Sequence, residues 1–181
     1  MYIYLKKLAK LIKEYRRHST DKTKEIFLSL PKGLTLLDIG AAGGIQPRWE
    51  KVSKNLNYIG VEPDERSNKE LENKDLFKNI KILHTFAWNK KTEVEFNLCK
   101  TPTVSSAYKP NRELLNQFPN AERFDVIKKE KLQAEPLFNE NYDHFFSEKV
   151  GGEIDFIKLD IQGGELNALK GLGDTLNNCL G

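Results

Sequence analysis

The chain has 181 residues, 39% of them hydrophobic and 30% charged, which is the composition of a soluble globular protein with apolar material for one sizeable core. The net charge of +3 is uneven: Lys6, Lys7, Lys10, Lys13, Arg16 and Arg17 face only Glu14 in the first 18 residues, which leaves the remainder slightly acidic. A slightly acidic body lacks the basic stripe that a duplex requires, which argues against nucleic acid as a partner, and Cys99 and Cys179 lack the spacing of a zinc site or a disulfide module.

Residues 1–18 place Leu5, Leu8, Ile12 and Tyr15 on one stripe of an amphipathic helix whose other faces are basic. Such a helix either packs on the domain edge or is drawn to an anionic membrane surface. No apolar run approaches the roughly 20 residues of a span, and the start lacks the uninterrupted apolar core of a signal peptide. The expectation is a cytoplasmic protein, with any membrane contact peripheral, at the inner face, through residues 1–18. The basic helix and lead-in occupy 1–30 and the main domain 31–181.

Residues 34–39 (LTLLDI) and 57–62 (NYIGVE) are short apolar runs ending in a carboxylate, with a Pro47-initiated helical segment between them, the rhythm of a parallel βαβ unit. A helix near 65–76 follows, then a strand near 80–87, a turn at Asn89-Lys90-Lys91 and an alternating strand over 92–98, together an inserted antiparallel hairpin. A polar loop (100–111) leads to a helix near 112–118, a strand near 122–131, a helix near 139–147, a strand over 154–161 and a helix from 163 to about 171. These elements predict an α/β fold: a doubly wound, mostly parallel, Rossmann-like sheet with helices on both faces.

In such a sheet ligands collect at the carboxyl ends of the strands, where the winding direction reverses. The first strand ends there in Asp38-Ile39-Gly40-Ala41-Ala42-Gly43-Gly44. Glycines allow positive φ and close approach of a ligand to the backbone. The order G-A-A-G-G is not the dinucleotide fingerprint, and no Lys-Ser/Thr pair follows, which weakens a nicotinamide-dependent oxidoreductase and removes a phosphate loop. Asp38 would repel a pyrophosphate yet suits a cofactor bearing an ammonium and a sulfonium, directly or by ordering the loop amides. Glu62, 18 residues after Gly44, ends the second strand where a carboxylate can accept both hydroxyls of a ribose, with Pro63 behind it. Phe86 and Ala87 offer apolar surface beside an adenine.

These residues resemble the FkbM family of methyltransferases, whose pattern has a glycine turn after L-D-x-G, an E-P pair closing the second strand, and a late segment like Asp155-Phe156-Ile157-Lys158-Leu159-Asp160-Ile161-Gln162-Gly163-Gly164-Glu165-Leu166. The resemblance spans about residues 34–176, and Pro47-Arg48-Trp49, Ser105-Ser106 and Ala121-Glu122-Arg123-Phe124 look like one branch of the family. Family members often carry Asn where Ala42 stands and Glu where Gln162 stands. The resemblance implies a class I methyltransferase sheet, S-adenosyl-L-methionine as cofactor, no metal, and O-methylation of a hydroxyl on a sugar, glycan or related small molecule. A domain of that kind finishes with three more strands, whereas this chain stops just after a helix, so the expectation includes missing C-terminal strands.

On the acceptor side, Asp160 is the candidate base or orienting group and Lys158 its companion on the same strand face. A lysine beside it would lower the pKa of Asp160 and favour orientation over proton abstraction. Lys158, Asp160 and Glu165 also fit an ion-pair network joining the strand end to the next helix. Trp49 is either a sugar-stacking platform or a core anchor, and Ser105 and Ser106 either bind the acceptor or form a turn. His84 and His144 are isolated histidines, His144 a secondary base candidate beside Asp143. The alternative to an enzyme is a truncated, non-catalytic remnant or binding module of the same fold.

Overall fold

The computed structural model describes residues 22, 24–67, 76–138 and 154–181. The basic leader, most of the helix expected near 65–76, the helix expected near 139–147 and His144 lie outside the described residues.

Two sheets form the body. The first is parallel, in the order β3-β2-β1-β7, from β1 (Leu34–Ile39), β2 (Leu56–Val61), β3 (Asn79–Leu83) and β7 (Phe156–Leu159). Every residue of β1 and β2 is buried, as a parallel strand covered on both faces requires. Alternation splits their side chains into two cores. Leu37, Ile39, Ile59 and Val61 pack with Ala168 and Leu172 of α3 (Glu165–Leu172) on one face. Leu34, Leu36, Leu56 and Tyr58 pack with Val52, Trp49 and Phe156 on the other. The chain steps from β1 to β2 to β3 in one direction and returns to set β7 against the opposite edge of β1, so the winding reverses between β1 and β7.

The second sheet runs β4-β6-β5, from β4 (Phe86–Ala87), β5 (Thr92–Cys99) and β6 (Val126–Glu135). Here the structure corrects the expected hairpin. The stretch 80–87 breaks after Leu83: β3 joins the parallel sheet, whereas β4 pairs parallel with β6. The antiparallel partner of β5 is β6, some 30 residues further along, with a register shift between Leu98 and Cys99. Alternation in 92–98 reveals one buried face but not which backbone lies along the edge, because the side-chain period carries no information on hydrogen-bond partner. The start of the strand expected near 122–131 lies instead in a 3-10 turn, Ala121–Phe124, and the strand begins at Val126. Ion pairs Lys129–Glu95 at 2.5 Å and Lys131–Glu93 at 2.8 Å lie across the ribbon; exposed as they are, they favour this register more than they add stability. The inner face of the ribbon, Phe96 and Leu98, packs with Phe86 and Ala134. Between the strands stand the single turns α1 (Pro47–Glu50) and α2 (Arg112–Leu115). No helix among the described residues is long and apolar enough to cross a membrane.

Candidate functional site

At the end of β1 the chain turns sharply. Gly40 has φ 83° and donates its N–H to Val61 O at 2.9 Å; Ala41 donates to the same oxygen at 3.2 Å. A Cβ on Gly40 would sit 2.1 Å from the carbonyl oxygen of Asp160, so a side chain here would push β1 and β7 apart. Gly43 and Gly44 continue the turn with φ 85° and 78°, and Gly44 N–H closes it on Ala41 O at 3.0 Å. Ala41 is fully buried beneath it.

Glu62 follows β2 directly and is buried. Its Oε2 accepts the Ala42 N–H at 3.0 Å and its Oε1 the Asp64 N–H at 2.8 Å, so one carboxylate ties the glycine turn to the end of the neighbouring strand. Burial pushes its carboxyl up to about 7, against the pull of those two amides.

One strand away, the carboxylate of Asp38 is 2% exposed. The Tyr58 hydroxyl donates to its Oδ2 at 2.9 Å and the Lys158 ammonium stands 2.8 Å from its Oδ1. Lys158 also donates to the Gly40 carbonyl at 2.5 Å. Desolvation raises the Asp38 carboxyl above its ordinary value, opposed by Lys158 and Tyr58, and the same burial beside Asp38 raises the Tyr58 phenol, which stays protonated.

Between the strand ends and the ribbon lies a cavity with an empty volume of about 540 Å³, part of it open to solvent. It gathers eight residues that the sequence reading singled out: Gly40, Ala42, Glu62, Pro63, Phe86, Ala87, Ser105 and Asp160. Among the described residues, Glu62 and Asp160 are its only ionisable lining groups, and no Lys, Arg or His lines it. Phe86 and Phe96, with ring centroids 5.4 Å apart, build its apolar wall. Thr103 of the Pro102–Val104 turn stands on the rim. Asp160, just past β7, is exposed; Gln162 donates to its Oδ1 at 3.1 Å and to Thr103 O at 3.4 Å, from a backbone with φ 58°.

Other residues fall elsewhere. Lys158 and Asp38 do not line the cavity: the partner of Lys158 is Asp38, not Asp160, because their strands are in register there. Glu165 takes no part in an ion pair with Lys158. Burial disfavours its charged form, but amides of its own residue, Gly163, Ile161 and Gln162 outweigh this and hold the carboxyl below its ordinary value. Trp49 is placed as the core anchor: its ring lies 5.2 Å from that of Phe156, away from the cavity. Ser105 lines the cavity while its hydroxyl donates toward Asp64 at 3.5 Å and accepts the Cys99 N–H at 3.0 Å. Ser106 lies outside the lining and donates to Gln162 O at 2.8 Å, fastening the polar loop to the segment after β7. His84 is exposed and also outside the lining.

Sequence reasoning missed Tyr58, Phe96, Thr103 and the bridge made by Gln162. Phe96 was visible as an inward residue of an alternating strand; Thr103 in a polar loop gave no signal. No curated protein and no solved structure matches the chain. The model of the methyltransferase FkbM domain matches residues 38–180, from the aspartate of β1 through the cavity walls to the C-terminal helix and beyond. By that match, which takes in most of the chain, this protein belongs to the FkbM methyltransferase family.

Proposed function

We propose that the chain is an S-adenosyl-L-methionine-dependent O-methyltransferase acting on a hydroxyl of a sugar, glycan or related small molecule. The observation that carries the reading is the charge of the cavity: two carboxylates, Glu62 and Asp160, line it, with no cation among the described lining residues. A pyrophosphate would be repelled there, whereas a ligand bearing a sulfonium and an ammonium is attracted. The donor set fits the cofactor in detail. Each Glu62 oxygen has used one acceptor position on a backbone amide, which leaves about one more on each for the two hydroxyls of a ribose. Phe86, Ala87 and Phe96 supply an apolar wall for an adenine, and Thr85 a polar group at its edge.

When bound, the cofactor supplies an electrophilic methyl group. The remaining work falls to the chain and consists of aligning a hydroxyl oxygen, excluding water and managing one proton. With Gln162 on Oδ1, Asp160 keeps Oδ2 for an acceptor hydroxyl, as base or as orienting group. Phe86, Phe96, Pro102 and Thr103 would exclude water from the part of the cavity that they line.

Calorimetric titration with S-adenosylhomocysteine tests the cofactor claim: saturable heat is expected, and none at millimolar ligand would sink it. Glu62→Ala should weaken that binding by about 1–3 kcal/mol, the range for hydrogen bonds to a charged group. Asp160→Asn should spare cofactor affinity and lower methyl uptake by sugar and glycan acceptors; full turnover would remove Asp160 from the chemistry. A screen in which amines or carboxylates take up label and no hydroxyl does would overturn the acceptor class.

A further inference from the structure

Lys158 and Asp38 stand opposite one another in adjacent strands at the point where the winding reverses, in the interior of the fold. An ion pair taken out of water there loses hydration that its mutual attraction only partly restores, and two apolar side chains would pack at least as stably. The stability of the sheet alone therefore does not account for a lysine at this position.

Its contacts do. Gly40 has left the ladder: its positive φ turns its carbonyl out of the β pattern, so that this half-buried acceptor takes its partner from elsewhere. Lys158 supplies it, and the ammonium is held in turn by Asp38, which is held by the Tyr58 hydroxyl. The next peptides place the Ala41 N–H on Val61 O and the Ala42 N–H on Glu62. Three strands thus reach one glycine turn, β2 through Tyr58, β1 through Asp38 and β7 through Lys158.

We infer that Tyr58, Asp38 and Lys158 form a buried relay that sets the conformation of the Gly40–Gly44 turn for the cofactor, with Lys158 a positioning residue rather than a participant in methyl transfer. The inference rests on the proposed cofactor reading for its consequence, though not for its geometry. Asp38 also offsets the charge of Lys158, so that the cavity beside them keeps the negative field of Glu62 and Asp160. The relay acts through the Gly40 peptide, which lines the cavity: it moves no proton and touches no reacting atom.

Two variants test it. Lys158→Met combined with Asp38→Asn removes the charges together, which avoids stranding one of them in the interior; Tyr58→Phe removes a single hydrogen bond. Hydrogen exchange on the ligand-free chain reads the turn directly. Amides of Ala41, Ala42 and Gly44 should exchange at least tenfold faster in the double variant and by a smaller factor in Tyr58→Phe, while β2 amides stay protected. With ligand, the double variant should raise the Kd for S-adenosylhomocysteine and the KM for the cofactor at least tenfold, and kcat at saturating cofactor should change less than threefold. Unchanged exchange in the turn overturns the relay, as does a collapse of kcat at unaltered Kd, which would make Lys158 part of the chemistry. If the wild-type chain bound no S-adenosylhomocysteine, the cofactor reading would fall while the exchange comparison still decided the relay. If the double variant failed to fold, Tyr58→Phe would carry the same comparison.

Discussion

Glu62 shows how one residue can couple binding to pH. Folded, its carboxyl ionises near 7 because it is buried; unfolded, it ionises near 4.5. Between these values the folded chain holds a proton that the unfolded chain has released, so stability falls as pH rises from about 4.5 to about 7, by roughly 3 kcal/mol across the window. Glu62→Gln should flatten that slope in denaturant titrations at pH 5 and 7.5; an unchanged slope would show that Glu62 ionises normally. Ribose hydroxyls donating to the carboxylate favour its ionised form, so the affinity for S-adenosylhomocysteine should climb with pH and level off above about 7. At this scale the sequence was partly legible. Glu62 could be located because a carboxylate closing an apolar run at a fixed distance from a glycine turn is a local pattern. The pairing of Lys158 with Asp38 could not, since it depends on β7 lying in register with β1 across a separation of 120 positions. Neighbour reasoning assigned Lys158 to Asp160 instead, yet Asp160 lies beyond the end of β7 and the ion-pair partner of Lys158 is Asp38.

At the scale of elements, the buried runs of β1 and β2 announced themselves, because strands covered on both faces must be apolar throughout. The ribbon was harder: one buried face said nothing of whether β5 hydrogen-bonds to the segment before it or to β6. The junction of β1 with β7 offers the sharpest test of packing. Gly40→Ala adds a left-handed backbone cost of about 1–2 kcal/mol to a clash with the carbonyl of Asp160. It should therefore destabilise the chain by more than that amount in chemical denaturation and should weaken S-adenosylhomocysteine binding as well. A loss below about 1 kcal/mol would mean that β7 can shift away at little cost.

Over the whole molecule, the parallel sheet and the ribbon enclose one cavity from opposite sides, with strand ends on one and Phe86 and Phe96 on the other. A ligand between them binds only the folded arrangement, so saturation stabilises both sheets at once. At a hundredfold excess over Kd the gain is about 2.7 kcal/mol, which for a domain of this size corresponds to a rise in Tm on the order of 5–10 °C. The class of fold was legible from the order of elements, whereas the enclosure was not, because it depends on where the ribbon docks. That docking has one unusual contact: α3 presses its Gly171 against the backbone of Trp88, where an added Cβ would lie 2.0 Å from the carbonyl oxygen. The same helix begins at Glu165, whose carboxylate grips the amides that follow Asp160. One short helix thus works as a calliper, with the carboxylate wall at one end and the root of the aromatic wall at the other. A single methyl group at position 171 would act as a shim that changes the gauge of the pocket without altering any residue inside it.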